Sequence, residues 1–350
     1  MSTLEVHHKF APLAAEWDEL TARAGSGPFS APGWFEAWWE AFGRGQLELV
    51  ALRRGSELAA VLPLHRRRGV RHALTNWHTP ELRLPAADAA ARAELVRTLL
   101  ATTRLPVAIA MVTAGTPDVG DLKSAAAAAG MWTIVRGIER SPFVPLDGTW
   151  DEYRAGLPSR RARELRRRRR RLESLGELRH EVAHGSERLC SLLAEGLEVE
   201  GSGWKDEQGT AILSRRETRL FYARVAHWAA HRGSLRLAFL RLDERPIAFH
   251  LTIEEGGSAY QLKGGYDPAL RAFSPGSLLI EEMLAWAFAR GLRTYEFLGA
   301  DERFKLDWTS SFRDRLTVQA FPRSAAGSLG WSAYAYGRPL AKRARDLIRR

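Results

Sequence analysis

The chain has 350 residues, 45% of them hydrophobic, and a formal net charge of +11, enough for two domains with real cores. Its one cysteine, Cys190, excludes an internal disulfide, and no uninterrupted apolar run approaches the ~18 residues of a membrane span. The charge is local: residues 160–172 hold nine arginines against one glutamate, and 338–350 hold six basic residues against Asp346. The rest of the chain is close to neutral, which argues against a basic surface throughout. The first residues, MSTLEVHHKF, lack an apolar signal core, so a cytoplasmic location is expected.

In chain order, residues 47–52, 57–64 and 71–77 read as strands, joined by Arg53-Arg54-Gly55-Ser56 and by Gly69. A helix is expected over 89–103, a strand over 106–112, an Ala-rich helix over 121–130 and a strand over 132–136. Pro142, Pro145 and Gly148 predict a linker over 138–148. The arginine run predicts a helix with a thin apolar seam of Leu165, Leu172 and Leu175, ended by Gly176. Nine arginines exceed the needs of one solvated face. They suit cofactor phosphates, an anionic acceptor, RNA or DNA, an anionic membrane, or a helix packed between domains through its arginine stems. Cys190, between Leu189 and Leu192, is expected to be a small buried residue.

Residues 215–232 predict a helix whose buried face carries Leu220, Phe221, Val225, Trp228 and Ala229. Strands follow over 235–242, 247–253 and 259–262. Ser274-Pro275-Gly276-Ser277 then reads as a helix start, with Ser274 as N-cap and Pro275 in the first helical position. The N–H groups of Gly276, Ser277 and Leu278 are expected to lack partners inside the helix and so to attract phosphate. That helix runs to about Arg290, stops at Gly291, and precedes a short strand over 293–298. The tail after Arg338 suits a short amphipathic helix, on a membrane or on the protein, or a frayed basic end.

The order of helix, three strands, phosphate-ready helix and strand is similar to that of a GCN5-related N-acyltransferase. Residues 151–312 resemble the CelD-like acetyltransferases, named for an association with bacterial cellulose biosynthesis and related to the FemABX aminoacyltransferases. The resemblance rests on Leu157-Pro158-Ser159-Arg160, Gly203-Trp204-Lys205, Gly209-Thr210-Ala211-Ile212 and Phe221-Tyr222. It continues through Pro246-Ile247-Ala248-Phe249, Gly265-Tyr266-Asp267, Ser274-Pro275-Gly276 and the run from Phe297 to Lys305. Trp34-Phe35-Glu36-Ala37-Trp38-Trp39 and Leu62-Pro63-Leu64 fit the family's first half. Two positions depart from the pattern: Glu296 stands where Asp is frequent, and Phe304 where Tyr is usual.

The resemblance implies an α/β fold of two tandem acyltransferase-like domains, each a mixed, largely antiparallel sheet flanked by helices. The expected division is 1–140 without an evident CoA site, 141–330 as the catalytic domain, and 331–350 as a basic tail. Acyl-CoA is implied as co-substrate at Ser274, Pro275, Gly276 and Ser277, and no metal is called for. The ten histidines show no HExxH spacing, and Gly-x-Ser-x-Gly and Walker-type loops are absent, which argues against a zinc enzyme, a serine hydrolase and a nucleotide triphosphatase.

An amine or hydroxyl acceptor must lose a proton as it attacks a thioester, and the developing oxyanion needs a donor. The backbone of Lys263-Gly264-Gly265 is expected to supply that donor, with glycines admitting a ligand closely. Asp301, Glu296 and Glu200 are the candidate bases, Asp301 being favoured for its place after a strand end. Lys305 is expected to pair with Asp301 or to hold an anionic acceptor; Trp204, Lys205 and Tyr266 suit a polar or sugar-like acceptor. Two other classes stay open: a FemABX-type transferase using aminoacyl-tRNA at the arginine helix, and a non-catalytic binding protein on the same fold. A tRNA or a membrane surface is thus the alternative partner of residues 160–171, with peripheral membrane attachment as a further option.

Overall fold

The computed structural model describes residues 2–184, 188–202 and 212–337. Trp204, Lys205 and the basic residues after Gly337 lie outside the described residues. The chain divides into two compact units: one formed by residues up to Glu139 together with those from Asp314 onward, the other by Arg140–Arg313.

The first unit contains β1 (Ser2–His7), α1 (Ala14–Ala24), α2 (Pro32–Phe42), β2 (Gln46–Arg54), β3 (Glu57–Arg67), β4 (Val70–Ala73), α3 (Ala89–Thr102), β5 (Val107–Thr113) and α4 (Pro117–Ala128). The long strand β6 (Trp132–Pro145) follows. The second unit continues with α5 (Trp150–Gly156), α6 (Ser159–Glu173), β7 (Leu178–Ala183), α7 (Leu189–Gly201), α8 (Arg216–His231), β8 (Leu235–Leu242), β9 (Arg245–Glu255) and β10 (Ser258–Tyr266). It closes with α9 (Pro275–Ala289), β11 (Thr294–Glu296) and α10 (Arg303–Leu306), before β12 (Phe312–Phe321) and α11 (Ala325–Ser332).

The two units share one pattern. In the first, the order is β1-β2-β3-β4-β5-β12, antiparallel except for the parallel pair β4–β5. In the second, it is β7-β8-β9-β10-β11-β6, antiparallel except for the parallel pair β10–β11. Each parallel pair is bridged by a helix, α3 and α9 respectively, because parallel strands need a crossover. This is the expected α/β class, a mixed sheet flanked by helices, twice over.

The stretch 138–148 is not the expected linker. Phe143, Val144 and Pro145 pair with Glu296, Tyr295 and Thr294, so β6 is the last strand of the second sheet. The prolines are tolerated because a strand end does not require every N–H. The division between the units falls within this strand, at Glu139 and Arg140.

In the second unit, β8 and β9 are buried almost continuously, as helices on both faces require. Gly196 of α7 lies directly on Phe249 of β9; a Cβ there would be 2.3 Å from the ring. On the opposite side, Leu279, Met283 and Ala287 of α9 share a core with Ala238, Leu240 and Ala248. The arginine helix α6 joins that core through Leu165 and Leu172. Cys190 is exposed rather than buried. The buried stripe of α7 runs through Leu189, Leu192, Leu193 and Leu197, and position 190 is turned away from it.

Candidate functional site

Past Tyr260, β10 and β11 part: their parallel pairing covers only Ser258–Tyr260 against Thr294–Glu296, whereas β10 continues to Tyr266. A cleft of about 280 Å³ opens there, lined by Glu200, His250, Gln261, Gly264 and Gly265 on one side and by Ser274, Gly276, Ser277 and Ile280 on the other. Tyr266 and Phe304 complete the wall. Gly276 sits close against Tyr266, whose ring would be 3.1 Å from an added Cβ, tight enough that the ring would have to shift.

The start of α9 differs from the expected capped helix. Ser274 adopts the left-handed conformation, φ 50°, because it also ends the short 3₁₀ turn Pro268–Phe273, and its side chain makes no cap. Its carbonyl accepts from the N–H groups of Ser277 at 3.0 Å and Leu278 at 3.2 Å. Two of the three amides expected to be open are therefore turned inward, and Gly276 remains as the amide at the helix start. The Ser274 hydroxyl instead accepts from the Arg168 guanidinium of α6, which also pairs with Glu164.

The arginine helix is thus part of the site. Arg161 pairs with Asp307 at 2.7 Å, and Arg169 with Glu282 at 2.5 Å and with the buried Glu281 at 3.4 Å. Arg154 also reaches Glu281, at 3.2 Å, so α5 and α6 are both pinned to α9. A groove of about 870 Å³ adjoins the cleft at Ser274 and Ser277 and carries Arg160, Arg161, Arg168 and Arg303. Arg160, Arg163, Arg166, Arg167, Arg170 and Arg171 are exposed, and Arg171 lies over the Phe273 ring.

Of the candidate bases, Glu200 alone lines the cleft. It is 1% exposed, and its carboxylate accepts from the Ile212 N–H at 2.9 Å. Burial, and the Glu200 charge after it, push the neighbouring Tyr222 hydroxyl well above the ordinary tyrosine range. Glu296 is held in a two-pronged ion pair with Arg313, at 2.8 and 3.1 Å. Asp301 is exposed, with Arg140 at 3.8 Å rather than Lys305 as its neighbour.

Lys305 is buried, and its ammonium donates to the carbonyls of Leu298 at 2.6 Å and Ala300 at 3.0 Å and pairs with Glu302 at 2.8 Å. It ties down a turn in which Leu298 and Gly299 are both left-handed, with φ 57° and 61°. The Lys263 ammonium lies over the Tyr222 ring. Gly264 and Gly265 make room for protein groups: an added Cβ would be 2.5 Å from the His250 ring at Gly264 and 2.5 Å from Glu200 Cα at Gly265.

His250 and Gln261 are absent from the expected set. The only signal was a histidine inside the apolar run 247–253, and by itself that reads as a core residue. Both are buried, at 3% and 8% exposure, and both line the cleft. Among the described residues no group of three or more His, Cys, Asp or Glu is gathered as a metal site, and no helix is long and apolar enough to cross a membrane.

Cleft, splayed strands and helix start together are those of an acyltransferase-type fold. Residues 159–306 match the model of the Acetyltransferase (GNAT) domain. The structure is similar to that of FemX, with a TM-score of 0.59 at 14% identity over 91% of this chain and 96% of that one. A conserved protein of unknown function from Bacteroides thetaiotaomicron VPI-5482 gives 0.56 at 11% identity over 91% and 99% of the two chains. L-PGS from Bacillus licheniformis gives 0.52 at 11% identity over 84% and 93%. At these identities the likeness is one of fold. No curated protein matches the sequence.

Proposed function

We propose that this chain transfers an acyl group, of the acetyl class, from acyl-CoA to an amine or hydroxyl of a polar, sugar-like acceptor. The observation that carries this is the cleft between the parted strands, closed by the start of α9 with Arg168 beside it. The residues present fit an acyl-CoA. The Gly276 amide would face the pyrophosphate, with Arg168 giving up its contact with Ser274 to neutralise charge there. The adjoining groove, with Arg160, Arg161 and Arg303, suits further phosphate. Acyl-CoA supplies the activated thioester; the protein binds it, orients it and moves the acceptor's proton. The end of β10 at Gly264 and Gly265 lies at the cleft wall where the acyl carbon would rest.

The first unit supports a single donor site by contrast. Its corresponding helix, α3, begins with Asp88, whose carboxylate accepts from the Ala91 N–H at 2.7 Å and pairs with Arg54. A carboxylate in that place fills the position a phosphate would take and repels it. The resemblance to CelD-like acetyltransferases is the ground for a saccharide-type acceptor. Such a donor is a cytoplasmic molecule, and the reading carries that location with it.

A second reading has its own observation. Six exposed arginines along α6, on a fold similar to that of FemX, favour a FemABX-type transfer from aminoacyl-tRNA. Isothermal titration decides between them. Binding of acetyl-CoA, with a preference that changes as the acyl chain lengthens, supports the first. No acyl-CoA binding, with transfer that needs charged tRNA and fades with salt, supports the second. Neither binding nor transfer would leave a binding protein on this fold.

A further inference from the structure

We infer that His250 is the proton acceptor of the transfer reaction and that Gln261 donates to the developing oxyanion, an inference that rests on the proposed acyl-donor site. His250 is on β9 and Gln261 on β10, and their side chains converge over Gly264. The place a Gly264 Cβ would take is 3.1 Å from His250 Nε2, 3.1 Å from Gln261 Nε2 and 2.5 Å from His250 Cδ2. Any side chain at 264 would push the imidazole aside, so the glycine serves the histidine.

The amide of Gln261 is oriented. Tyr295, fully buried on β11, donates its hydroxyl to Gln261 Oε1 at 3.0 Å, which leaves Nε2 as the end nearer Gly264. The tie joins β10 to β11, the two strands that part to make the cleft. Two nitrogen-bearing side chains, each more than nine-tenths buried, thus stand in the wall that faces Ser277 and Ile280 of α9.

The chemistry balances. The acceptor's nitrogen or oxygen bonds to the thioester carbonyl carbon as its proton passes to His250 Nε2. The carbonyl oxygen takes up negative charge and receives the hydrogen bond of Gln261 Nε2. Collapse re-forms the carbonyl and breaks the carbon–sulfur bond; the thiolate leaves and takes the proton back from His250. Glu200, the carboxylate in the cleft wall, keeps its hydrogen bond from Ile212 throughout.

The test compares wild type, His250→Gln, His250→Gly and Gly264→Ala, each shown by circular dichroism to be folded. Acetyl-CoA affinity is measured by titration, and release of free CoA thiol with a panel of amines and amino sugars. His250→Gln should bind acetyl-CoA within about threefold of wild type and release thiol roughly 100-fold more slowly or worse. Free imidazole should restore roughly tenfold or more to His250→Gly, which a structural role would not allow. Gly264→Ala should lose turnover with the histidine intact.

A folded His250→Gln enzyme at full rate, or a His250→Gly enzyme indifferent to imidazole, would overturn the assignment. Whatever the acceptor, nitrogen-15 resonances assigned to His250 should move when acetyl-CoA is added to wild type, and an unmoved ring would also overturn it. Failure of wild type to bind acetyl-CoA would instead overturn the donor reading, and this role with it.

Discussion

Arg168 and Ser274 are hydrogen-bonded across 106 residues of chain, guanidinium to hydroxyl, and that contact joins the arginine helix to the start of α9. It explains why the serine does not cap its own helix. The Ser274 backbone is left-handed, and its hydroxyl is engaged by a cation held from the far side by Glu164. On the proposed donor reading, a polyphosphate arriving there would find the Arg168 charge beside it.

Arg168→Met should therefore weaken acetyl-CoA binding by about 1.5–3 kcal/mol, the range of a hydrogen bond to a charged group, with melting temperature little changed. Titration calorimetry reads the difference. Equal affinities would remove Arg168 from the donor site.

Gly276→Asp should abolish measurable acetyl-CoA binding. Its Cβ would crowd Tyr266 from 3.1 Å, and its carboxylate would occupy the positive end of the helix. Gly276→Ala separates the two effects: if Tyr266 gives way by a few tenths of an ångström, affinity should fall far less than with Asp. Binding by a folded Gly276→Asp protein at wild-type affinity would refute the donor site.

Lys305→Met should behave as a stability mutant. It removes the ammonium from the carbonyls of Leu298 and Ala300 and leaves the buried Leu298 carbonyl unmet, at a cost of about 1–3 kcal/mol in denaturant titration. Glu296→Gln, which weakens the half-buried ion pair with Arg313, should cost about 1–3 kcal/mol. Asp301→Asn, at an exposed site, should leave stability within about 0.5 kcal/mol. A fall in turnover for Asp301→Asn alone, with stability kept, would restore it as the base.

Replacing Arg163, Arg166, Arg167 and Arg170 by glutamine should leave the fold and acetyl-CoA affinity intact, because those side chains are exposed. Any salt-dependent affinity for tRNA should drop steeply. Arg169→Gln, in contrast, takes a cation from Glu282 and leaves Glu281 with Arg154 alone, and should lower the melting temperature. If the outer set destabilises the protein as much as Arg169→Gln does, the outward face is structural.

In the first unit, burial raises the Asp118 carboxyl to about 6, against the opposing charge of Arg92. Its folded value is above its unfolded one, so the folded state binds the extra proton between pH 4 and 6. Stability is lost as pH rises through that window, by on the order of 2–3 kcal/mol at most. Asp118→Asn should thus gain melting temperature relative to wild type at pH 7.5 and show a smaller gain at pH 4. A gain independent of pH would place the effect elsewhere.

Much of the second unit was legible as sequence. The strand at 235–242, the helices at 216–231 and 275–289, and the helix start at Ser274-Pro275-Gly276 follow from apolar periodicity and from proline and glycine, which act within a few residues. The arginine run was visible as charge, and three leucines were enough to make it a helix. What the run does was not visible. Which arginines turn inward depends on Asp307, Ser274, Glu281 and Glu282, all more than 100 residues away. Pro142 and Pro145 read as a linker because local punctuation carries no record of β11, the strand that recruits them. Glu296, Asp301 and Lys305 had the residue types for chemistry, and tertiary partners gave each another environment. His250 looked like core until the fold set it against Gly264 and Gln261, since convergence of side chains from two strands is a property of register, decided only when the sheet is assembled.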